Sequence, residues 1–488
     1  MKLYLRGHDD RYAVEQLQLA LFPDEPMEPV DAPFTGDGAV SSLHIGKTWL
    51  TATASITLHG RTAKAVRRLA VAEADVPARR RLLQNTYYAA ATQLREPPAW
   101  GSLSGVRPTK LTTRHLLAGG DEKGADRLLE ERYHVAPARR RLCIEASRAT
   151  VAAAKCLRPN DVSLYIGIPF CPTRCAYCSF VSTGIERTAK KLLPSFLDAL
   201  EKEIVHVGAL LRASDRRVRT LYIGGGTPTT LSSAQMQRLM DIIRTNFDLT
   251  DLIEYTVEGG RPDTLDLKKL KTIRANGCDR MSINPQTMND EILSVIGRRH
   301  TSAQTVEAYR AAQRAGFAGI NMDLIAGLPD DTPESFSASI KQVLSLSPSN
   351  VTVHTLALKK GADLFFSRRR LPSAEEVGAM LEDAENCLRA AGYKPYYLYR
   401  QKYMSGSFEN VGWCKDGFEG LYNIYMMEEL HSVISLGGGG MTKINLPDGR
   451  LERFHNAKFP QQYIERIDDV LKQKDEAFDL LCGNTIEQ

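Results

Sequence analysis

The chain has 488 residues, more than one hydrophobic core usually supports, so its length predicts two or three domains. Hydrophobic residues make up 43% of the chain and charged residues 25%, and the 63 basic side chains exceed the 58 acidic ones by only five. This excess is too small to indicate a nucleic-acid partner. The N-terminal stretch is charged and no apolar run is long enough to cross a bilayer, so we expect a cytoplasmic protein without a membrane span.

Residues 1–158 differ in character from the rest of the chain. They begin with the β-like "KLYLRG", continue with a strand pair around "HIGKTWLTATASITLHG", and then become rich in Arg and Ala in a helical pattern. This pattern predicts a separate N-terminal α+β domain of unknown role. Within it, "WGSLSGVRPTK" at 100–110 brings Arg107 and Lys110 into a Gly- and Pro-containing segment, which is consistent with an anion-binding loop or with a solvated turn.

From Val162 onward, a short β-branched or aromatic run that ends in a polar or glycine-rich turn is repeatedly followed by an amphipathic helical stretch. The runs are "VSLYIGIPF", "TLYIGGGTP", "EYTVEGG", "RMSINPQ", "INMDLIAGLP" and "NVTVHTLAL". These six βα units predict an α/β fold with a parallel sheet, curled or open, over 159–370. A helix over 373–391 and the glycine-rich "SLGGGGMTK" then predict a third region, 371–488, that closes over the sheet.

Three cysteines, Cys171, Cys175 and Cys178, follow the first run within "IPFCPTRCAYCSF". A structural zinc site takes four protein ligands, and no fourth Cys or His follows at finger-like spacing. A redox Cys-x-x-Cys pair leaves Cys171 unused. An iron-sulfur cube normally takes four thiolates, so three from one loop would leave one iron open. The residues alone keep zinc, a redox pair and a cluster as alternatives.

The spacing Cys-x₃-Cys-x₂-Cys at the end of the first strand resembles that of the radical S-adenosylmethionine superfamily. The resemblance implies a partial (β/α)6 barrel, a [4Fe-4S] cluster on the three cysteines, and S-adenosyl-L-methionine as cofactor. "YIGIPFC", "CAYC", "GGGTPT", "RMSINPQ" and "INMDLIAGLP" are further similar to the oxygen-independent coproporphyrinogen III oxidase group. "GVRPTK", "PYYLYRQK" and "FENVGW" resemble its HemZ-type coproporphyrinogen dehydrogenase branch.

The same resemblance implies which residues contact the cofactor. Glycines without Cβ atoms allow close approach of a ligand, and polar residues at successive strand ends converge on one edge of a parallel sheet. The implied contacts are Tyr165, Tyr177, Gly225, Gly226, Thr227, Glu258, Gln286, Arg298, Asp323, Ala357 and Met441.

The resemblance implies an oxidoreductase of porphyrin biosynthesis that converts propionates of coproporphyrinogen III to vinyl groups, giving protoporphyrinogen IX. The implied partners are the tetrapyrrole substrate and an electron donor such as flavodoxin or ferredoxin. Two positions depart from the group. Phe180 stands where the decarboxylating enzymes carry a fourth cysteine, and Glu409 stands where the related heme chaperones carry a histidine.

These departures keep two alternatives open: a heme-binding or heme-transfer protein on the same scaffold, with Cys414 as a candidate iron ligand, and radical chemistry on another tetrapyrrole. Tyrosines 393, 396, 397, 399 and 403 are consistent with core packing or with stacking on a tetrapyrrole. Arg400 and Lys402 beside them are consistent with pairing to propionates or with plain solvent exposure.

Overall fold

The computed structural model describes residues 1–22, 25, 27–179, 183–184, 190–359, 361–367, 369–401 and 404–483. The chain divides into two compact units. The N-terminal unit consists of residues 1–144 and 400–409, and the barrel unit consists of residues 145–399 and 410–488. The three-domain division expected from the sequence stays a prediction.

The N-terminal unit contains a five-stranded mixed sheet whose strands are β1 (Lys2–Arg6), β2 (Glu28–Val30), β3 (Gly38–Ile45), β4 (Trp49–Leu58) and β5 (Arg61–Ala70). The strand order is β2-β1-β3-β4-β5, with β1 parallel to both neighbours and β3, β4 and β5 antiparallel. The helices are α1 (Arg11–Leu21), α2 (Val76–Ala91), α3 (Thr109–Leu117), α4 (Glu122–Tyr133) and the start of α5 (Pro137–Ala154). Apolar side chains of α1 and α2 pack on one face of the sheet.

Residues 61–70 form strand β5 and directly follow the predicted strand pair, so the Arg- and Ala-rich helical sequence expected after that pair begins only with α2. Each residue of β5 pairs with one of β4, from Arg61 opposite Leu58 to Ala70 opposite Trp49. Strand β3 pairs with one edge of β4, so the backbone N–H and C=O groups on the other edge need the partner that β5 supplies. The ladder with β4 therefore overrides the helical preference of Ala and Arg, which is worth only tenths of a kcal/mol per residue.

The barrel unit is built on an eleven-stranded sheet of order β14-β15-β13-β12-β11-β10-β9-β6-β16-β17-β18. Its strands are β6 (Asp161–Ile168), β9 (Arg217–Gly225), β10 (Glu254–Glu258), β11 (Arg280–Ser282), β12 (Gly319–Ala326), β13 (Asn350–Thr355), β14 (Lys394–Tyr399), β15 (Asn410–Cys414), β16 (Val433–Gly437), β17 (Met441–Asn445) and β18 (Leu451–His455). A separate short pair consists of β7 (Phe170–Cys171) and β8 (Thr183–Gly184).

Six of these strands, β6 and β9 to β13, are parallel neighbours in chain order, which confirms the predicted α/β fold with a partial (β/α)6 barrel. Strand β16 adds to β6 in parallel, while β15 adds to β13 antiparallel. The sheet therefore ends on β14 and β18 and does not close. The carboxyl ends of the parallel strands share one edge, where a barrel of this kind places its site.

The barrel helices cover the sheet with apolar faces. They are α6 (Lys190–Ala213), α7 (Ser233–Asn246), α8 (Leu267–Ala275), α9 (Asp290–Val295), α10 (Ser302–Arg314), α11 (Pro333–Ser345), α12 (Ala374–Ala390), α13 (Leu421–Glu428), α14 (Pro460–Glu465) and α15 (Ile467–Cys482). Helix α7 begins after Ser232, whose hydroxyl accepts from Gln235 N–H in a capping box. Among the described helices, none is long and apolar enough to cross a membrane.

Candidate functional site

The cysteine-bearing loop follows β6 and is anchored to the segment after α9 and to the loop after β10. The Ala176 N–H donates to Ile296 O at 3.0 Å, and the Thr173 hydroxyl donates to Gly297 O at 3.3 Å. The buried Arg261 donates to the Thr173 hydroxyl at 2.7 Å. These bonds fix a loop that would otherwise be free to move, so its three thiols are presented in a defined arrangement.

Cys171, Cys175 and Cys178 form no disulfide bonds and are partly exposed, and the Cys178 N–H donates to Cys175 O across a tight turn. In the part of the chain that the structure describes, no three His, Cys, Asp or Glu side chains converge closely enough to hold one metal ion. A polynuclear cluster does not need its three thiolates to meet at one atom, because each binds a different iron. The loop therefore fits a cluster better than a mononuclear zinc site.

The glycine segment after β9 lies directly against this loop. The Gly226 N–H donates to Ile168 O at 2.9 Å, and the Thr227 N–H donates to Phe170 O at 2.7 Å. A Cβ atom on Gly226 would lie 2.6 Å from Phe170 O and 2.9 Å from Cys171 Sγ. Glycine is required here because any side chain would strike both the backbone and the thiol.

Two neighbouring carboxyl groups, Glu258 at the end of β10 and Asp323 within β12, differ in protonation. Burial, and then the neighbouring carboxylate of Asp323, raise the pKa of Glu258 to about 8, although the Gly225 N–H donates to it at 3.2 Å. Burial alone would raise the pKa of Asp323, but hydrogen bonds from His354 and Asn321 lower it overall. The pair therefore holds one proton near neutral pH, and Glu258 carries it.

A ring of buried polar atoms beside Glu258 lacks hydrogen-bond partners among the described residues. These atoms are Ser282 Oγ, Asn284 Oδ1, Gln286 Oε1 and Arg298 Nε. Gln286 also has a left-handed φ of 69°, which is costly for a residue with a side chain and recurs at ligand sites. Because buried polar groups in native proteins are almost always paired, this ring fits a polar ligand such as adenosylmethionine.

Arg298 connects this ring to the cysteine loop. Its Nη2 lies 3.4 Å from the hydroxyl of Tyr177, the residue between the last two cysteines. Burial alone would lower the pKa of Arg298, but Tyr177 and Cys175 beside it raise it overall. Against the same loop lies a cavity of about 740 Å³, lined partly by Thr173, Arg174 and Arg298. This volume is in the usual range for small-molecule sites.

An aromatic stack forms one wall of the barrel interior. The rings of Tyr222 and Tyr422 are stacked with centroids 4.7 Å apart, and Tyr165 lies 6.1 Å from Tyr222 and 6.3 Å from Tyr422. Burial raises the pKa of all three phenols, so the wall is uncharged. The sequence analysis named Tyr165 but missed its two neighbours.

The sequence around Tyr222 contains a pattern that points to the site. The same is true of His354, which the sequence analysis also missed. Tyr222 precedes Gly224 by two residues on the same strand, so it shares the face of the glycine motif. His354 is the one ionisable residue of β13 and lies next to its carboxyl end. Tyr422 comes from α13, far along the chain, and no sequence pattern around it points to the site.

Ala357 and Met441 lie at the edge of the site. Ala357 is two residues beyond the carboxyl end of β13, and Met441 begins β17 after the glycine turn that follows β16. Gly437, at the end of β16, pairs with Gly167 near the end of β6. Ala357 and Met441 therefore both lie at the edge of the sheet that carries the carboxyl ends of the parallel strands. Their role as cofactor contacts stays a prediction.

The predicted tetrapyrrole-binding tyrosines are mostly core residues. Tyr393, Tyr396 and Tyr397 are buried, and Tyr396 packs edge-on against Tyr397. Tyr399 stacks on Tyr397. Phe180, Lys402 and Tyr403 lie outside the described residues.

Arg400 fits neither of the two alternatives left by the sequence, pairing with a propionate or plain solvent exposure. Its guanidinium donates to the backbone carbonyls of Leu103 and Ser407 and lies over the ring of Trp100, with 5.4 Å between the guanidinium carbon and the ring centroid. Trp100, Ser102 and Leu103 are themselves buried, so the first part of the 100–110 segment is packed inside the N-terminal unit. Arg400 therefore has a structural role in that unit.

Comparison with known proteins agrees with this site. The model of the Radical SAM superfamily matches residues 165–343. The chain is 39% identical over 395 residues to the oxygen-independent coproporphyrinogen-III oxidase-like protein HemZ of Bacillus subtilis, a match that covers 80% of this chain and 79% of that protein. It is 29% identical to the heme chaperone HemW of Escherichia coli, over 62% of this chain and 76% of the chaperone.

Among solved structures, the chain resembles the coproporphyrinogen III oxidase HemN of Escherichia coli, described as a radical SAM enzyme. The TM-score is 0.52 and the identity 27%, over 66% of this chain and 73% of that one. The chain is therefore a radical SAM enzyme, of the superfamily that uses a [4Fe-4S] cluster and S-adenosylmethionine, and it belongs to the oxygen-independent coproporphyrinogen III oxidase-like family.

Proposed function

We propose that this enzyme decarboxylates two propionate side chains of coproporphyrinogen III oxidatively to vinyl groups, giving protoporphyrinogen IX in the cytoplasm. The observation that carries the proposal is the convergence of three thiols, bare glycine backbone and unpartnered buried polar atoms at one edge of the barrel. The 39% identity to HemZ and the structural likeness to the coproporphyrinogen III oxidase HemN support the choice of substrate.

The residues of the site divide between binding the cluster and binding the cofactor. Cys171, Cys175 and Cys178 would hold the cluster through three thiolates, which leaves one iron without a protein ligand. Bound together, the cluster and adenosylmethionine supply hydrogen-atom abstraction. Gln286 and Arg298 would bind polar groups of the cofactor, since their unpartnered atoms lie buried beside the loop. The tyrosine wall would exclude water.

Heme transfer is the alternative function. This chain lacks the histidine ligand of the related heme chaperones, because Glu409 stands at that position. Glu409 is 3% exposed, accepts a hydrogen bond from Trp100 Nε1 at 2.7 Å, and pairs with Arg139 at 2.8 Å. Cys414 is buried in β15, and burial raises the pKa of its thiol. Neither side chain is disposed to ligate heme iron without rearrangement.

Anaerobic turnover tests the proposal directly. The reconstituted enzyme, reduced by flavodoxin, ferredoxin or dithionite, is given coproporphyrinogen III and adenosylmethionine, together with an electron acceptor. We expect a monovinyl intermediate, then protoporphyrinogen IX, with two deoxyadenosines and two carbon dioxides for each product, because each propionate loses one hydrogen atom. With Phe180 in place of a fourth cysteine, slow turnover is expected.

Heme binding provides the opposing measurement. Stoichiometric heme binding with a spectrum that changes in Cys414→Ala or Glu409→Gln, together with unaltered coproporphyrinogen, would establish the carrier function instead. Deoxyadenosine formation with a different tetrapyrrole, but none with coproporphyrinogen III, would show that the reaction class is correct and the substrate is not.

A further inference from the structure

The excess positive charge of the chain belongs entirely to its N-terminal part. Residues 1–144 contain 21 Lys and Arg against 16 Asp and Glu, whereas residues 145–488 contain 42 of each class. The small net charge of the whole chain is therefore the sum of a basic N-terminal part and a neutral remainder. The positions of these cations on the five-stranded sheet indicate which kind of partner they are able to bind.

The five-stranded sheet has one face that α1 and α2 do not cover. In β4, Leu50, Ala52 and Ile56 are buried, while the residues that alternate with them point to the other face. The pairing register places His44 and Arg68 on either side of Thr51, and Ser42 and Val66 on either side of Thr53. We call this the outer sheet face, represented by Ser42, His44, Trp49, Lys64, Val66 and Arg68.

The outer sheet face displays cations and an aromatic ring to solvent. Lys64 and Arg68 are exposed, and Trp49 is 49% exposed. None of the four strands β1, β3, β4 and β5 contains Asp or Glu, and the acidic residue of the sheet is Glu28 in the edge strand β2. Within the described residues, no carboxylate forms an ion pair with Lys64 or Arg68. Such cations are available to an external anion.

A basic groove continues from this face around strand β5. It has a volume of about 510 Å³ and lies between β5, α2 and the end of α4. Arg67, Arg68, Arg81 and Arg132 line it, together with the single acidic residue Glu131. Arg68 thus borders both the groove and the outer sheet face, so the two basic surfaces are continuous.

We propose that the outer sheet face and this groove bind single-stranded nucleic acid. Proteins that bind single strands combine a basic track for phosphates with aromatic rings on which bases stack. Lys64 and Arg68, four residues apart on one strand and therefore separated by roughly 13 Å, supply the track. Trp49 supplies the ring, and the hydroxyls of Thr51 and Thr53 between them can donate to phosphate oxygens.

Other anionic partners explain fewer of these features. An acidic peptide added to the edge of β5 would use the arginines of the groove but would not use Trp49 and the hydroxyl rows of the face. An anionic membrane surface needs a larger apolar patch than Trp49 and Val66 provide. Both remain as outcomes of the experiment.

Fluorescence anisotropy of the full-length protein tests the proposal. The probes are fluorescein-labelled single-stranded RNA and DNA of mixed sequence, about 15 nucleotides long. We expect binding that weakens steeply between about 50 and 200 mM salt. Lys64→Glu/Arg68→Glu should weaken binding at least tenfold, and Trp49→Ala about fivefold or more through lost stacking. The matched control is Arg310→Glu/Arg314→Glu, which makes the same charge change at exposed positions of α10 and should stay within twofold.

Circular dichroism and cluster content verify that each variant is folded. The proposal is overturned if the wild type does not bind the oligonucleotides, if the sheet variants bind as tightly as the wild type, or if the control loses as much. It is also overturned if unlabelled polyglutamate, or vesicles containing phosphatidylserine, displace the labelled oligonucleotides as well as unlabelled oligonucleotides do.

Discussion

Beneath β16 in the barrel unit, the ammonium group of Lys474 lies 3.2 Å from Glu203 Oε1, and both side chains are fully buried. On the outer sheet face of the N-terminal unit, Lys64 and Arg68 are exposed and have no carboxylate beside them. The first pair is surrounded by hydrogen bonds that hold β16 in place, while the second is directed at solvent. The buried charges of Lys474 and Glu203 hold strands of the site in position. The exposed charges of Lys64 and Arg68 are available to bind a partner.

The buried pair acts on the site through the backbone. Glu203 Oε2 accepts from the Gly437 N–H at 2.7 Å, and Lys474 donates to Ser435 O at 2.6 Å. Gly437 pairs with Gly167, just before the cysteine loop begins. The network therefore fixes two neighbouring strand ends at the edge where the cofactor would bind, and its loss should affect the site as well as the fold.

The largest effect should come from the cysteine loop. Cys171→Ala, Cys175→Ala or Cys178→Ala should each abolish cluster assembly and adenosylmethionine cleavage, because a three-ligand site has no spare thiolate. Iron content, visible absorption after anaerobic reconstitution and deoxyadenosine formation measure this. Cys156→Ala and Cys482→Ala, at exposed positions, serve as controls and should retain all three properties. A fully active variant of any loop cysteine would remove it from the ligand set.

The next largest effect should come from the buried pair. Lys474→Met should destabilise the barrel unit by about 3–5 kcal/mol, because it leaves the Glu203 carboxylate buried without a counter-charge. Lys472→Met, two residues earlier in α15 and exposed, is the matched control. Glu203→Gln/Lys474→Met should lose less than Lys474→Met alone. Chemical unfolding of the three variants measures this, and a loss below about 1 kcal/mol in Lys474→Met would contradict the role assigned to the network.

These positions show what sequence reasoning reaches in this chain. The strand ends were predictable, because the parallel strands belong to short β-branched or aromatic runs that stop at a polar or glycine-rich turn. The Ser232 cap and the apolar face of α7 follow from local spacing. Strand β5 was not predictable from its Ala- and Arg-rich composition, since only its ladder with β4 decides between helix and strand.

The same limit applies to the site and to the N-terminal surface. Glu258 ends β10, Asp323 lies within β12 and Arg298 follows α9. The motif resemblance points to all three. Tyr422 reaches the barrel interior from α13, so only the three-dimensional structure reveals it. The outer sheet face could not be predicted from the net charge, because net charge averages over the whole chain. The pairing register of β4 and β5 determines which cations share a face.

A smaller effect should come from Glu258. Its pKa of about 8 means that the neutral acid predominates below that pH. An adenosylmethionine amino group that bonds to the carboxylate favours the ionised form, so affinity should rise up to tenfold per pH unit from about 6 to 8 and then level off. The adenosylmethionine affinity of Glu258→Gln should lack this rise with pH. Subtracting the pH profile of the variant from that of the wild type removes the effect of titration of the ligand itself. Equilibrium dialysis on reconstituted, unreduced enzyme measures it.

The same shift has a consequence for stability in the ligand-free enzyme. Between the ordinary pKa of a glutamate and about 8, the unfolded chain carries the charge and the folded chain the proton. Stability should therefore fall as pH rises through this window, and less so in Glu258→Gln. Parallel pH profiles of wild type and variant in both measurements would remove Glu258 from the cofactor site.

The smallest effect should come from the outer sheet face. Lys64→Gln and Arg68→Gln should change the free energy of unfolding by less than about 0.5 kcal/mol, because exposed cations without a carboxylate partner contribute little to a fold. Urea unfolding of the full chain measures this against Lys474→Met. A loss above about 1 kcal/mol would show that these cations stabilise the N-terminal unit. If the Lys64 and Arg68 variants keep their stability and lose oligonucleotide binding, these cations serve binding and not folding. A residue that is needed for folding cannot be removed without a loss of stability.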